Sequence, residues 1–234
     1  MHEHVTLLPP ETRREEGGLS SSLPPDLLEQ VRGRVRLLSM LILIAFAFDP
    51  VLYVLAWSVA TVAGVPLTAG SFARTGFMAL SAGAAGASAL LWWAAGNRRV
   101  SETRLHTLGL VYEVAICFVM AVATFWQFYL DNRTLPNLTW VPAVVILFPL
   151  ILPGPPRRML AAAMLAAAMP PLALLLLELS GKVATDAGDY VDLVISGAFA
   201  VAFAYMGARV VYRLGREVVA ARYQAGEYLS LSLR

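Results

Sequence analysis

The sequence has little with which to do covalent or metal chemistry. Its 234 residues hold one cysteine, Cys117, one lysine, Lys182, and three histidines. A lone cysteine excludes an internal disulfide framework, and inside an apolar run it reads as a small buried hydrophobe. No Cys/His cluster has metal-ligand spacing, and no pair of histidines sits in the apolar runs where a haem would be held. His2 and His4 offer two ligands on a free terminus, which is too few for a metal site. Charge is scarce too, at 15% of residues against about 25% in an ordinary soluble domain. No cofactor and no nucleic-acid partner is expected for this chain, and no ligand is indicated.

Apolar residues fill the space instead, at 58% of the sequence with a mean hydropathy of +0.66. A bilayer core of about 30 Å takes roughly 20 apolar residues per helix. Six runs answer to that description, at about 37–60, 74–95, 107–129, 138–153, 157–179 and 190–211. The fourth is short and carries Pro142 and Pro149, so it is expected to be tilted, broken or drawn to one side. The chain is therefore expected to be an all-α integral membrane protein of six transmembrane helices in a bacterial cytoplasmic membrane, with the lipid bilayer as its first partner. Residues 1–25 read as a disordered tail, 26–212 as the membrane domain and 213–234 as a juxtamembrane linker. Asp26 and Glu29, three apart, form a capping box where order begins.

Orientation follows from where Arg and Lys lie near the span ends. Arg32, Arg34 and Arg36 precede the first run; Arg98, Arg99 and Arg104 follow the second; Arg157 and Arg158 follow the fourth; Arg209, Arg213, Arg216, Arg222 and Arg234 close the chain. The alternate loops carry only Arg74, Arg133 and Lys182. Such alternation predicts both termini in the cytoplasm and leaves outward loops too short to fold as sensor domains.

Ionisable groups within the runs are the candidate functional residues, since each is costly there. Asp49 stands before Pro50, whose missing N–H frees a backbone carbonyl. It reads as a proton or cation relay, or, more simply, as a group hydrogen-bonded at its own kink and facing Arg74. Glu113 lies about two turns into the third run and Arg209 about one turn inside the end of the sixth. Their similar depth predicts an ion pair, for which a structural clamp, a switch element and a transport site are all open roles. Ser88, in Gly86-Ala-Ser88-Ala, lacks a histidine in a neighbouring run to activate it and reads as a packing residue. The small side chains of Gly83-Ala-Ala-Gly86-Ala-Ser88 should let helices approach closely.

Three stretches carry a family resemblance. They are Val100-Ser-Glu-Thr-Arg-Leu-His-Thr-Leu-Gly109-Leu-Val-Tyr-Glu113-Val, Leu138-Thr-Trp140-Val-Pro-Ala-Val-Val-Ile-Leu-Phe-Pro149-Leu-Ile-Leu-Pro153 and Val211-Tyr212-Arg213-Leu-Gly215-Arg216-Glu217-Val with Ala221-Arg222. The entry Pro24-Pro25-Asp26-Leu-Leu also fits. On these residues the chain resembles the amino-terminal membrane region of bacterial membrane-attached serine/threonine protein kinases of the Hanks type. The resemblance implies an anchoring and sensing module that passes a signal through Arg213, Gly215, Arg216 and Glu217. It also implies that Gly226-Glu227-Tyr228-Leu229 opens the first strand of a kinase domain, although Ser230-Leu-Ser-Leu-Arg234 departs from that pattern. ATP and Mg²⁺ would belong to that missing domain. Phosphoryl transfer of this type needs a phosphate-binding lysine, His-Arg-Asp and Asp-Phe-Gly, and the chain has one lysine, on the outward side, and neither motif. It is expected to be no enzyme by itself, either a fragment cut at the kinase boundary or a product with a divergent, shortened tail, and to dimerise through its membrane helices. Two rival readings are a small transporter or channel using Asp49 and Glu113, and the six-span anchor of a nucleotide cyclase.

Overall fold

The computed structural model describes residues 25–64, 70–136 and 139–232. The expected tail, with His2 and His4, lies outside them. The described residues form six helices and no strand: α1 (Pro25–Ala63), α2 (Gly70–Gly96), α3 (Glu102–Asn132), α4 (Val141–Ile151), α5 (Pro156–Leu179) and α6 (Ala187–Ser232). The helix start at Pro25 meets the expected one, while the side chains of the Asp26–Glu29 box lie outside the described residues.

Five of the six helices are long and apolar enough to cross a membrane. The exception is α4, with 11 residues and so about 16 Å of rise against a bilayer core of about 30 Å. Prolines set both of its ends. Pro142 occupies the first turn, where its missing N–H costs nothing, and Leu152 turns to φ −116°, ψ 77° ahead of Pro153, as the residue before a proline is pushed to do. Of the six expected spans, five are thus long enough as helices, and the fourth is the short, proline-bounded element that its sequence led one to expect.

That short element still returns the chain. Leu152 packs on Gly109 near the start of α3, and Gly154 lies against His106. Segment 133–155 therefore leads from the end of α3 back to its beginning. Arg32 near the start of α1 bonds the end of α2, and Glu178 at the end of α5 meets Tyr190 at the start of α6. The stretches bearing Arg32–Arg36, Arg98–Arg104 and Arg157–Arg158 thus gather at one end of the bundle.

Small residues at helical spacing let these helices meet. On α2, Ser81, Ala84, Ser88, Leu91 and Ala95 are buried, steps of three and four that keep one face inward. Gly83 and Gly86 point outward, so the close approach comes from alanine and serine rather than from the glycines. On α6 the matching stripe is Gly197, Ala200, Ala204 and Ala208. Gly197 faces Ala167 of α5 and Gly207 faces Leu150 of α4, an arrangement of small side chains that suits helices in lipid. The reciprocal bonds Asp189 N–H to Asp186 Oδ1 and Asp186 N–H to Asp189 Oδ2, at 3.1 and 2.9 Å, fix where α6 begins.

The buried side chains divide into two groups. One, at the arginine-rich end, joins Val31, Val35 and Leu38 of α1 with Ala84, Leu91 and Ala95 of α2, Leu105, Tyr112 and Ile116 of α3, and Phe148, Met159 and Ala208. The other takes Cys117, Ala121 and Phe125 of α3 together with residues of α4, α5 and α6. Outside these groups large apolar side chains face outward, among them Phe48, Val59, Trp93, Phe199 and Phe203. An apolar exterior of that extent suits lipid and not water.

Candidate functional site

The arginine-rich end is built around Arg32. Its Nη1 donates to the carbonyls of Ala95 and Asn97 at 2.9 and 2.8 Å, and its Nη2 donates to that of Val100 at 2.8 Å. These carbonyls end α2 and shape the turn into α3, where helix geometry leaves acceptors without intrahelical partners. A guanidinium fork suits three acceptors in an arc, and its charge opposes the negative end of the helix dipole. Ser101 then caps α3 by accepting from Arg104 N–H. Arg36, one turn after Arg32, lies over the Trp92 ring at 4.8 Å.

Deeper along α3 the polar residues face the helix contacts. Ser88 and Tyr112 share a hydrogen bond between their hydroxyls, and Ser88 also donates to the Ala84 carbonyl. His106 is 1% exposed; its imidazole bonds the Pro153 backbone, while its Nε2 has no partner. Glu113, two turns further on, is also 1% exposed, and neither carboxyl oxygen has a hydrogen-bond partner. It stands where the two buried groups meet, between Tyr112 and Ile116 on one side and Cys117 on the other. Among the described residues no three His, Cys, Asp or Glu side chains come together as a metal site.

The ion pair expected between Glu113 and Arg209 is absent. Arg209 is exposed and its guanidinium lies 5.8 Å from the Tyr205 ring. The reason lies in helix rotation. Ala204 and Ala208 face inward, so residue 209 is turned about 100° from the buried face. Equal depth does not bring two side chains to the same azimuth. Asp49 lies within α1, which runs unbroken past Pro50; its side chain and that of Arg74 are outside the described residues.

The expected linker residues all lie in α6, a single helix of 46 residues. Arg213 Nε donates to Glu217 Oε1 at 2.8 Å, an i,i+4 pair that bridges the turn containing Gly215. The Arg216 side chain is outside the described residues. Helix continues through Gly226–Leu229 to Ser232, where the family pattern places a strand. Edge pairing is what would hold a strand there, and no described residue supplies it; Val218-Val-Ala-Ala-Arg-Tyr-Gln-Ala225 instead propagates the helix already begun.

Sequence reasoning passed over Arg32 as a contact and His106 as a buried group. No protein-family model, curated protein or solved structure matches the chain.

A buried carboxyl with no partner costs stability, on the order of 1–3 kcal/mol for an unsatisfied polar group in a protein interior. Glu113→Leu should accordingly raise the free energy of reversible unfolding in mixed micelles by about 1 kcal/mol or more. A loss of stability in that variant would show that the carboxyl makes a bond in the folded protein.

Proposed function

We propose that the chain is a membrane anchor and regulatory module whose output is α6. The observation that carries this is the continuity of α6. Its first 29 residues, Ala187–Gly215, are apolar enough to cross a membrane and pack on α4 and α5. Residues 216–232 then carry the same helix about 25 Å further. A helix seated in the bundle and extended beyond it moves as one body, so a shift among the embedded helices reaches its far end. The charge alternation supports an inner-membrane protein with both ends in the cytoplasm, the returning segment 133–155 serving as the fourth crossing. The resemblance carried by Arg213-Leu-Gly-Arg-Glu217 and the α3 and α4 motifs supports a serine/threonine kinase as the regulated domain, with a homodimer as its working form. ATP and Mg²⁺ would enter with that domain.

Gly215 is the place to test transmission. Glycine costs about 1 kcal/mol in a helix relative to alanine, and proline about 3. In the kinase-bearing parent in native membranes, Gly215→Ala should leave signalling intact or sharpen it, while Gly215→Pro should uncouple phosphorylation from the membrane domain. Equal phosphorylation in all three forms would reduce α6 to a tether. The coding sequence downstream of Arg234 supplies a second test: a glycine-rich loop followed by a lysine supports the kinase, and a cyclase core replaces it.

The unpartnered Glu113 favours a second reading, an ion-handling membrane protein. Proton or cation flux in proteoliposomes that disappears in Glu113→Gln, with Asp49→Asn as companion, would establish it.

A further inference from the structure

A groove of about 390 Å³ opens between α1 and α2 at the arginine-rich end, lined by Arg36, Trp92, Trp93, Gly96 and Asn97. We propose that this groove binds the headgroup of an anionic phospholipid from the leaflet facing that end. The proposal rests on the membrane reading alone and is independent of which domain α6 serves.

The lining has a charge and shape that fit such a ligand. Arg36 is held over the face of Trp92, which orients its planar fork while leaving edge donors for a phosphodiester. Trp93 is 64% exposed, and an amphipathic ring at helix-end depth sits where headgroups meet acyl chains. Arg98 and Arg99 follow in the exposed turn after Asn97. Neither they nor Arg36 has a carboxylate partner among the described residues. Glu102, the nearest acidic residue in sequence, belongs to the first turn of α3, where the helix end favours it.

Arg32 removes the one feature that would repel an anion. The end of α2 beside the groove is the negative end of a helix dipole, and its carbonyls at Ala95 and Asn97, with that of Val100, are occupied by the Arg32 fork. With those three carbonyls occupied, the rim presents the Arg36 cation and two indole rings beside the Asn97 amide, whose Oδ1 is itself taken up by Arg99 N–H. Basic pockets between helices on the cytoplasmic side are the usual seat of anionic lipid headgroups.

Gly96 allows the groove to be closed without disturbing the packing, since a Cβ there meets nothing within 4 Å. The test uses the full chain in nanodiscs of phosphatidylcholine containing increasing phosphatidylglycerol, with bound lipid counted by native mass spectrometry after gentle release. Arg36→Gln should lower preferential phosphatidylglycerol retention by about fivefold, the effect of one arginine at an anionic surface, and Gly96→Phe should lower it by filling the groove. The double variant Arg157→Gln/Arg158→Gln, basic and exposed but outside the groove, should retain it as the wild type does. Millimolar inorganic phosphate should not displace the lipid. Thermal melting in mixed micelles verifies that Gly96→Phe folds, and Arg36→Gln, an exposed change, carries the test by itself if it does not. Equal losses in all three variants would mean diffuse attraction and overturn the proposal, as would wild-type retention in Arg36→Gln or displacement by phosphate.

Discussion

A Gly154→Val variant is expected to unfold about 3 kcal/mol more easily than the wild type, as overpacking a closed core does at the upper end of its range. A Cβ at position 154 would lie 2.6 Å from His106 Nε2, 2.9 Å from its Cε1 and 3.0 Å from Met159 Sδ. The imidazole has no room to withdraw, because His106 is buried and its ring already bonds the Pro153 backbone. Met159 is 3% exposed and its flexible thioether yields first, so alanine should cost less than valine. The contact makes a two-residue test. His106→Ala leaves a cavity that the Cβ of Gly154→Ala partly fills, and the double variant should be less destabilised than the sum of the singles. Titrating the micelle-bound protein with denaturing detergent and following helicity measures all four forms. Strict additivity would show that the start of α3 and the proline turn after α4 are not packed together.

Arg32→Ala should have the next largest effect, a loss of about 3 kcal/mol. Hydrogen bonds to a charged group contribute roughly 1.5–3 kcal/mol each, and three made by one side chain do not add fully. The substitution also strips partners from three carbonyls that close a helix end. Arg32→Lys is the informative companion. A single ammonium cannot reach acceptors spread from Ala95 to Val100 as a fork does, so it should recover less than half of the loss. Full recovery by lysine would assign the effect to charge at the end of α2 and not to the geometry of the clamp. Unfolding in mixed micelles again supplies the measurement.

Much of the fold was legible because it depends on local composition. Runs of apolar residues located every helix, and five of the six expected ranges lie inside those observed, the run at 107–129 becoming Glu102–Asn132 for α3, whereas the fourth, 138–153, extends past both ends of Val141–Ile151. Hydropathy marks the apolar part of a helix, whereas its ends are set by caps such as Ser101. The alternation of arginine also anticipated which loops would gather at one end. The fourth run was expected to be tilted or broken at its prolines, and its helix is indeed short, with 11 residues. Pro142 and Pro153 bound the helix while the run between them stays strongly apolar.

The site was less legible, since its contacts join residues far apart in the chain. Arg32 was counted as a topological charge, but its partners lie 63 to 68 residues away, and no local pattern announces them. His106 was noted at the entrance to a run, and its neighbour Gly154 arrives only after α4 has turned back. For Glu113 and Arg209, depth in the run was legible but rotation about the helix axis was not. The stripe Gly197, Ala200, Ala204, Ala208 could have supplied that rotation, because it already shows which face of α6 is turned inward and that position 209 is not on it.

The division of the buried side chains also has a consequence for how the protein is assembled. Helices α1 and α2 contribute only to the group at the arginine-rich end, whereas α3 to α6 contribute to both. From Val51 to Gly64 no described side chain of α1 is buried. The first hairpin is therefore an accessory pair held to a four-element unit at one end, by Val31, Val35 and Leu38 of α1, by Ala84, Leu91 and Ala95 of α2 and by the Ser88–Tyr112 hydrogen bond. Loosening that attachment should free the pair while leaving the second buried group, which neither α1 nor α2 enters, intact.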